Sequence, residues 1–464
     1  MPQFLNKLQN LAPYQRNRII VGFVLLIILI LIILSLFGVF SKERVELEIP
    51  EPITLVFWNV FQDKKPFERL ILDYQIKNPN VNIVYEEKNY ESYREFVAAL
   101  LSAKDGPDVY SIHHTWLPLE QSRLISMNDA LGDINPPLII NKFSEIVRFD
   151  FVDEPSVLEQ GEPQIYALPL AIDTLALYYN IDYFNTHSIV SAPRTWEEFV
   201  DVVRQIRRID ESGNITLAGA ALGSAFNEQV NRVTDILSLL MMQSGAQMND
   251  EFVGVSFDRG VRGDDGQTYY PAREAMAFYT SFSNPESENY TWPAEGRNSI
   301  NAFAEGYAAM MLNYSYHRDT IRQLNPDLRF AVAEMPQPAG SNIKINYASY
   351  WGYAVPKLSD NPDVAWDFIN FLTQDENAIV YLEESDRPTA LKALIPVQQN
   401  SPSLGVFANQ VLTARSWRQP DFFEVQKILE QTINRVIVGE RSIADAIRDA
   451  VNQINLINFE GLFN

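Results

Sequence analysis

The chain has no cysteine among its 464 residues. Disulfides, thiolate nucleophiles, zinc ribbons and iron–sulfur ligation are thereby excluded, as is an anchor built on a lipidated N-terminal cysteine. Histidine is scarce too, at four in all, and no third or fourth ligand at suitable spacing accompanies the His113-His114 pair. Positive charge is the third shortage: 37 basic side chains face 59 acidic ones, a formal net charge of −22. Such a field repels phosphate backbones and, with no basic patch to oppose it, argues against nucleic-acid binding. GxSxG elbows, P-loops, EF-hand spacing, fixed-period repeats and low-complexity tracts are also missing. No cofactor and no metal site is expected. What remains is a folded chain, 47% hydrophobic and 12% aromatic, long enough for two or three domains.

Long hydrophobic runs are absent, with one exception. Ile19–Phe40 is 22 residues without a charge, and a helix needs about 20 to cross a bilayer core. Lys7, Arg16 and Arg18 precede it with no acid, whereas Lys42, Glu43, Arg44, Glu46, Glu48 and Glu51 follow, with acids in excess. That asymmetry puts residues 1–18 in the cytoplasm as a short tail and everything beyond about residue 41 outside. A cleaved signal peptide is the competing reading, but the run exceeds the usual ~7–15 residues and Ser35-Leu36-Phe37-Gly38 offers no small-x-small cleavage site. An uncleaved anchor at 19–40 is expected, with residues 41–52, charged and proline-marked, as a stalk.

The outer part alternates strands and helices. Strand-like runs fall at 53–58, 81–85, 108–112, 175–179, 308–313, 331–334 and 353–355. Helical spacing marks 67–77, 90–103, 195–209, 232–243, 271–281, 299–305, 362–373, 375–383 and the stretch to 455. Thr195 with Glu198 makes a capping box. Alternation of this kind predicts an α/β protein with two parallel sheets, whose ligands bind beyond the carboxyl ends of strands. The loops after Trp58, Ile112, Tyr179, Asn313 and Val355 are the expected binding loops.

Four stretches then carry a resemblance. They are ITLVFWNVFQDKKPF with NPNVNIVY, GPDVYSIHHTWLPLEQSRLI, IYALPLAIDTLALYYNIDYFNTHSIVSAPRTWEEFVDVV, and FAEGYAAMMLNYSYH through SYWGYAVPKLSDNPDVAWDFINFLT to RPTALKAL. In order, over about 400 residues, they resemble the family 1 extracellular solute-binding proteins, the maltose-binding-protein-like substrate-binding components of ABC importers. The resemblance implies a two-lobed periplasmic-binding-protein-like fold with a hinge. The first lobe would be 53–171 plus 356–398, the second 172–355 plus 399–464, and ABC permease subunits the partner.

Sugars present apolar CH faces and a rim of hydroxyls, so rings beside carboxylates, amides and cations are the pattern to seek. Trp58 and Asn59 end the first strand, and Asp63-Lys64 match an Asp-Lys pair that contacts sugar in the family. His113 and Trp116 follow the third strand. Asp173, with Thr174 beside it, lies where the chain crosses between lobes and matches an acidic ligand contact. Tyr316 aligns with a stacking tryptophan, with Tyr314 and His317 adjacent. Trp351 sits at the return crossover, where hinge packing is the rival role. Trp417 and Arg418 lie in the late segment over the cleft. Arg387 matches an arginine read as structural, and few cations surround the proposed cleft, which disfavours a phosphorylated ligand.

Capture of a mono- or oligosaccharide, without chemistry, is the expected function, at the cell membrane with the bulk of the chain extracellular or periplasmic. Two other classes remain. A sensory ectodomain would need a partner, since only the 18-residue tail precedes the span. A glycosidase would need facing carboxylates about 5–9.5 Å apart, and Asp63 with Asp173 is the one pair to nominate.

Overall fold

In the computed structural model, residues 12–36, 51–90, 93, 106–155, 161–250, 254–263, 265–294 and 296–461 are described. The chain divides into two units, Met1–Glu51 and Pro52–Asn464. In the first, helix α1 (Pro13–Leu36) is long and apolar enough to cross a membrane, a test that a signal sequence also passes. It starts earlier than the expected span, behind a proline that suits a first helical turn. Residues 1–11, and 37–50 with most of the stalk, lie outside the described residues, as does most of the helix expected at 90–103.

The second unit holds two hydrophobic cores. One gathers residues from 55 to 172 and from 348 to 395, joined by Val411, Ala414 and Phe422. The other gathers residues from 175 to 347 and from 407 to 454. These are the two lobes.

The first core is built on β1 (Ile53–Val60), β2 (Val81–Lys88) and β3 (Val109–His113). β1 pairs in parallel with both β2 and β3. Helix α2 (Lys65–Lys77) buries Phe67, Leu70, Ile71 and Tyr74, the stripe that helical spacing predicts. Phe57, fully buried on β1, has the rings of Phe67, Tyr85, Tyr353 and Phe368 edge-on at 5.2–5.9 Å.

The second core corrects the expectation of a parallel sheet. Strand β4 (Asp173–Thr174) leads into β5 (Ala176–Asn180), and β5 is flanked antiparallel by β6 (Met310–Asn313) and β7 (Phe330–Ala333). Alternation with helices suggests right-handed crossovers, but here the intervening segments return each neighbour in the opposite sense. Asn313 therefore pairs with Ala176, which places the carboxyl end of β6 at the amino end of β5. The loop after Tyr179 is at the far end, where the Asn180 side chain caps a helix by accepting from the N–H groups of Asp182 and Tyr183. The same reversal removes the loop after Val355. Strand β8 (Asn346–Ser349) bonds β4, and β9 (Trp351–Ala354) runs antiparallel to β3, with Trp351 opposite His113. So β9 belongs to the first sheet although sequence put it in the second lobe, and its amino end, not its carboxyl end, meets the cleft. Gly352 permits this seating: a Cβ there would meet Phe151 Cε2 at 2.6 Å.

Local signals fared better. The Thr195 hydroxyl accepts from Glu198 N–H at 3.2 Å and the Glu198 carboxylate accepts from Arg194 N–H at 2.7 Å, one residue from the ideal capping box. That helix ends at Ile206, and Arg208–Ile209 turns into strand.

Candidate functional site

Between the lobes lies a cavity of about 340 Å³. Asn59, Phe61, Gln62, Trp351, Tyr381 and Arg387 line it from the first lobe, and Asp173, Arg232 and Tyr316 from the second. A second cavity of about 410 Å³ shares Phe61, Arg232 and Tyr316 with it and continues to Tyr90, Asn227, Asn231, His317 and Phe423. Together they form one trough. The antiparallel registers above explain the assembly: the carboxyl ends of β1, β3 and β6 and the amino ends of β5 and β9 all arrive here.

The second-lobe wall is a hydrogen-bonded frame. Asp173 Oδ1 accepts from the N–H groups of Thr174 (2.9 Å) and Ser315 (3.1 Å). Its Oδ2 accepts from Ser315 N–H at 2.9 Å and the Ser315 hydroxyl at 2.6 Å. Burial pushes the Asp173 carboxyl up from its ordinary value, while the Ser315 bonds and the Arg387 charge pull the other way. Beside it, Arg232 donates through Nε (3.0 Å) and Nη2 (2.7 Å) to the Tyr316 hydroxyl. Arg232 has φ of +66°, a left-handed conformation that non-glycine residues adopt rarely and that recurs at ligand-binding sites. The Tyr314 hydroxyl donates to buried Asp235 at 2.8 Å, and the Tyr314 and Tyr316 rings stack 5.9 Å apart.

The first-lobe wall is aromatic. Trp351 is half-buried, ringed by Trp116 at 5.0 Å, His113 at 5.3 Å and Phe61 at 5.8 Å. Phe61 stands 54% exposed at φ +60°. An exposed ring held at a strained backbone angle on a cleft wall is costly as structure and useful as a stacking surface. His113 is buried with both nitrogens bonded, Nδ1 to the Thr115 hydroxyl (2.7 Å) and Nε2 to that of Ser349 (3.1 Å). Burial first, then the His114 and Arg232 charges, hold its pKa well below the usual imidazole value, so it is neutral at physiological pH.

The sequence candidates sort as follows. Asn59, Asp173, Tyr316 and Trp351 line the cavity. His113 and Trp116 lie behind Trp351 and support it. Trp58 is packed in the first core under Lys88, whose Nζ is 4.1 Å from the ring centroid. Thr174 is fully buried and accepts from the Gln410 amide at 2.9 Å, and Tyr314 is fully buried beneath Tyr316. Asp63 and Lys64 are exposed at the start of α2, where Asp63 accepts from Lys65 N–H at 3.0 Å, and neither lines the trough. The Asp63–Asp173 pair needed for glycosidase chemistry is therefore not assembled across the cavity. Trp417 is 1% exposed, donates from Nε1 to the Ser238 hydroxyl at 3.1 Å, and with Arg418 borders a different cavity of about 830 Å³ beside His114 and Asp150. For Trp58 and Thr174 the side chain packs inward while its neighbour, Asn59 or Asp173, turns into the cleft.

Sequence reasoning missed Phe61, Gln62, Arg232, Tyr381 and Phe423. Phe61 and Gln62 follow Asn59 in a loop already singled out. Arg232 and Tyr381 carry no local signal, since a left-handed arginine before an apolar helix reads as ordinary helix start. Among the described residues, no group of three or more His, Asp or Glu could hold a metal ion.

Known proteins resemble this chain. The chain is 22% identical over 397 residues to a putative binding protein of Brucella abortus, covering 84% of each. It is 22% identical over 306 residues to the maltodextrin-binding protein of Bacillus subtilis, covering 63% of this chain and 66% of the relative. The cyclic alpha-maltosyl-1,6-maltose binding protein of Arthrobacter globiformis shares the fold at a TM-score of 0.69 and 17% identity, over 88% of this chain and 99% of that one. An ABC transporter solute-binding protein of Thermotoga lettingae bound with alpha-D-tagatose matches at a TM-score of 0.64 and 20% identity, over 87% and 99%. The family model for bacterial extracellular solute-binding protein matches residues 58–379, well over half the chain, and with the two lobes and the trough between them this chain belongs to that family.

Proposed function

We propose that the protein captures a saccharide between its lobes and delivers it to the permease subunits of an ABC importer, while α1 holds it to the membrane with the bulk of the chain outside. One observation carries the reading: a single trough has rings from the first lobe (Phe61, Trp351, Tyr381) facing a polar wall from the second (Asp173, Arg232, Tyr316). Rings suit the CH faces of a sugar, and the guanidinium and hydroxyl groups of the polar wall suit the oxygens at its rim. The relatives named for maltodextrin and cyclic maltosyl-maltose support the same class.

The lobe division is proposed as 53–171 with 356–398 against 172–355 with 399–464, amended so that β9 moves with the first lobe. A ligand touching both walls favours the closed arrangement by its differential affinity for it, which presents a changed surface to the permease. The ligand-contacting set is proposed as Asn59, Phe61, Asp173, Arg232, Tyr316 and Trp351. Retention through α1 is supported by the positive residues before the apolar run and the acidic ones after it.

The test is a thermal-shift screen of the full-length chain in detergent against saccharides and polyols, followed by calorimetry. Ligand at a hundred times its Kd adds about 2.7 kcal/mol of stability. A saccharide hit that Trp351→Ala weakens by roughly 30-fold supports the reading. A panel without any saccharide shift sinks it.

A further inference from the structure

The trough has an imbalance between its hydrogen-bond acceptors and donors. The carboxylate and amide oxygens on the inner cavity wall already hold protein donors. Asp173 holds two bonds on each oxygen, all from Thr174 and Ser315. Gln62 Oε1 accepts from the Tyr381 hydroxyl at 2.9 Å, and Asn59 Oδ1 from Val60 N–H at 2.9 Å. The Tyr316 hydroxyl receives two N–H groups from Arg232.

The donor side is different. Arg387 lines the same cavity, half-buried, with its guanidinium 5.3 Å from the Tyr316 ring centroid. Among the described residues that guanidinium has no hydrogen bond and no ion pair. Its backbone is nevertheless fixed: the Gln398 amide donates to Arg387 C=O at 2.9 Å, and Ile172 N–H donates to Pro388 C=O at 3.0 Å at the crossover. A pinned backbone with an uncommitted planar fork of five donors is a poor structural device. Left empty, it shares one tyrosine ring with Arg232 and has Asp173 as a nearby negative charge without forming an ion pair to it.

A sugar hydroxyl both donates and accepts, and the carboxylate and amide oxygens of this wall that would take its proton already hold protein donors. A group that only accepts fits better, and a planar carboxylate matches the guanidinium fork with two parallel bonds. We propose that the saccharide taken by this cavity carries a carboxylate, as uronates do, and that Arg387 receives it as a bidentate pair. The inference rests on the saccharide reading above and narrows it. It reverses two expectations from sequence, that Arg387 packs and that the cleft is poor in cations.

The test uses the full-length chain in detergent and calorimetry with matched disaccharides: uronate and neutral members of the galacto, gluco and manno series, plus phosphate and sulfate esters of the neutral ones. The expected result is a uronate bound at least tenfold tighter than its neutral partner. Arg387→Gln should remove that preference, and Arg387→Lys should keep part of it. Melting curves of both variants without ligand check that they fold. Equal or tighter binding of the neutral members overturns the carboxylate and leaves saccharide capture standing. Tighter binding of a phosphate or sulfate ester likewise overturns it in favour of that anion. A preference that survives in Arg387→Gln overturns the role of Arg387. Failure of every member to bind overturns the saccharide reading itself.

Discussion

The two walls of the trough reach rigidity by different means. On the second-lobe side the central polar groups are tied to one another: Asp173 to Ser315 and Thr174, Arg232 to Tyr316, Tyr314 to Asp235. On the first-lobe side the rings of Phe61, Trp351, Trp116 and His113 lean on one another edge-on or tilted, at 5.0–6.5 Å. Hydrogen-bonded frames are directional, and buried members left unpaired cost the full desolvation penalty. Aromatic clusters are tolerant, each pair adding about 0.5–1.5 kcal/mol beyond burial. The polar wall should therefore fail through stability, and the aromatic wall through affinity.

Asp173→Ala gives the largest effect expected from that contrast. It strips the partners from Ser315 and Thr174 in a buried place, and loss of a buried network of this kind costs about 3–5 kcal/mol. Urea or thermal unfolding of the full-length chain measures it. Near-normal stability would mean that the frame is not holding the wall. Trp351→Ala follows, with little effect on unfolding beyond its lost packing but an affinity loss of about 2 kcal/mol, or roughly 30-fold. A stability loss as large as that of Asp173→Ala would erase the distinction between the walls.

The walls also differ in what pH does to them. His113 on the first-lobe side and His317 on the second are both held neutral by burial, His317 down to about 3. Folded, they bind fewer protons than unfolded, so each lowers stability as pH falls below about 6.5, by at most about 1.4 kcal/mol per pH unit. The carboxyls of Asp173 and Asp235, raised mainly by burial, act with the opposite sign in the window above their ordinary value of 3.8. Between pH 6.5 and 5 a His317 variant isolates the histidine part of the slope. His317→Gln should reduce the slope of unfolding free energy there by up to about one proton's worth, and an unchanged slope would mean that His317 gains a proton in the folded state.

The order of strands and helices behind the first wall was legible in the sequence, and the strand directions behind the second were not. Strand β1, the helix after it and β2 are neighbours in sequence and in space, so hydrophobic spacing and the Asn78-Pro79 stop suffice to place Asn59 at a strand end. The second wall depends on pairings more than a hundred residues apart, such as Tyr178 with Met311. Alternation along the chain says that such strands exist but not which way they run, and direction decides which loops share an end. Asp173 was found only because it flanks a crossover motif, and Arg232 not at all. Where a residue next to a strand end points depends on the same register, which is why Trp58 was named for the cleft and packs in the core.

Trp417 tests that lesson at the smallest scale. Sequence order put it over the cleft, yet its indole lies in the second core, donating to the Ser238 hydroxyl and meeting the Phe257 ring edge-on at 6.2 Å. Phenylalanine keeps most of the ring and loses the single donor. Trp417→Phe should therefore cost about 1 kcal/mol, the worth of one neutral hydrogen bond, and leave ligand affinity unchanged. If affinity fell while stability held, the cavity beside Trp417 and Arg418 would be coupled to the trough, and the division between a stability wall and an affinity wall would have to extend behind the crossover.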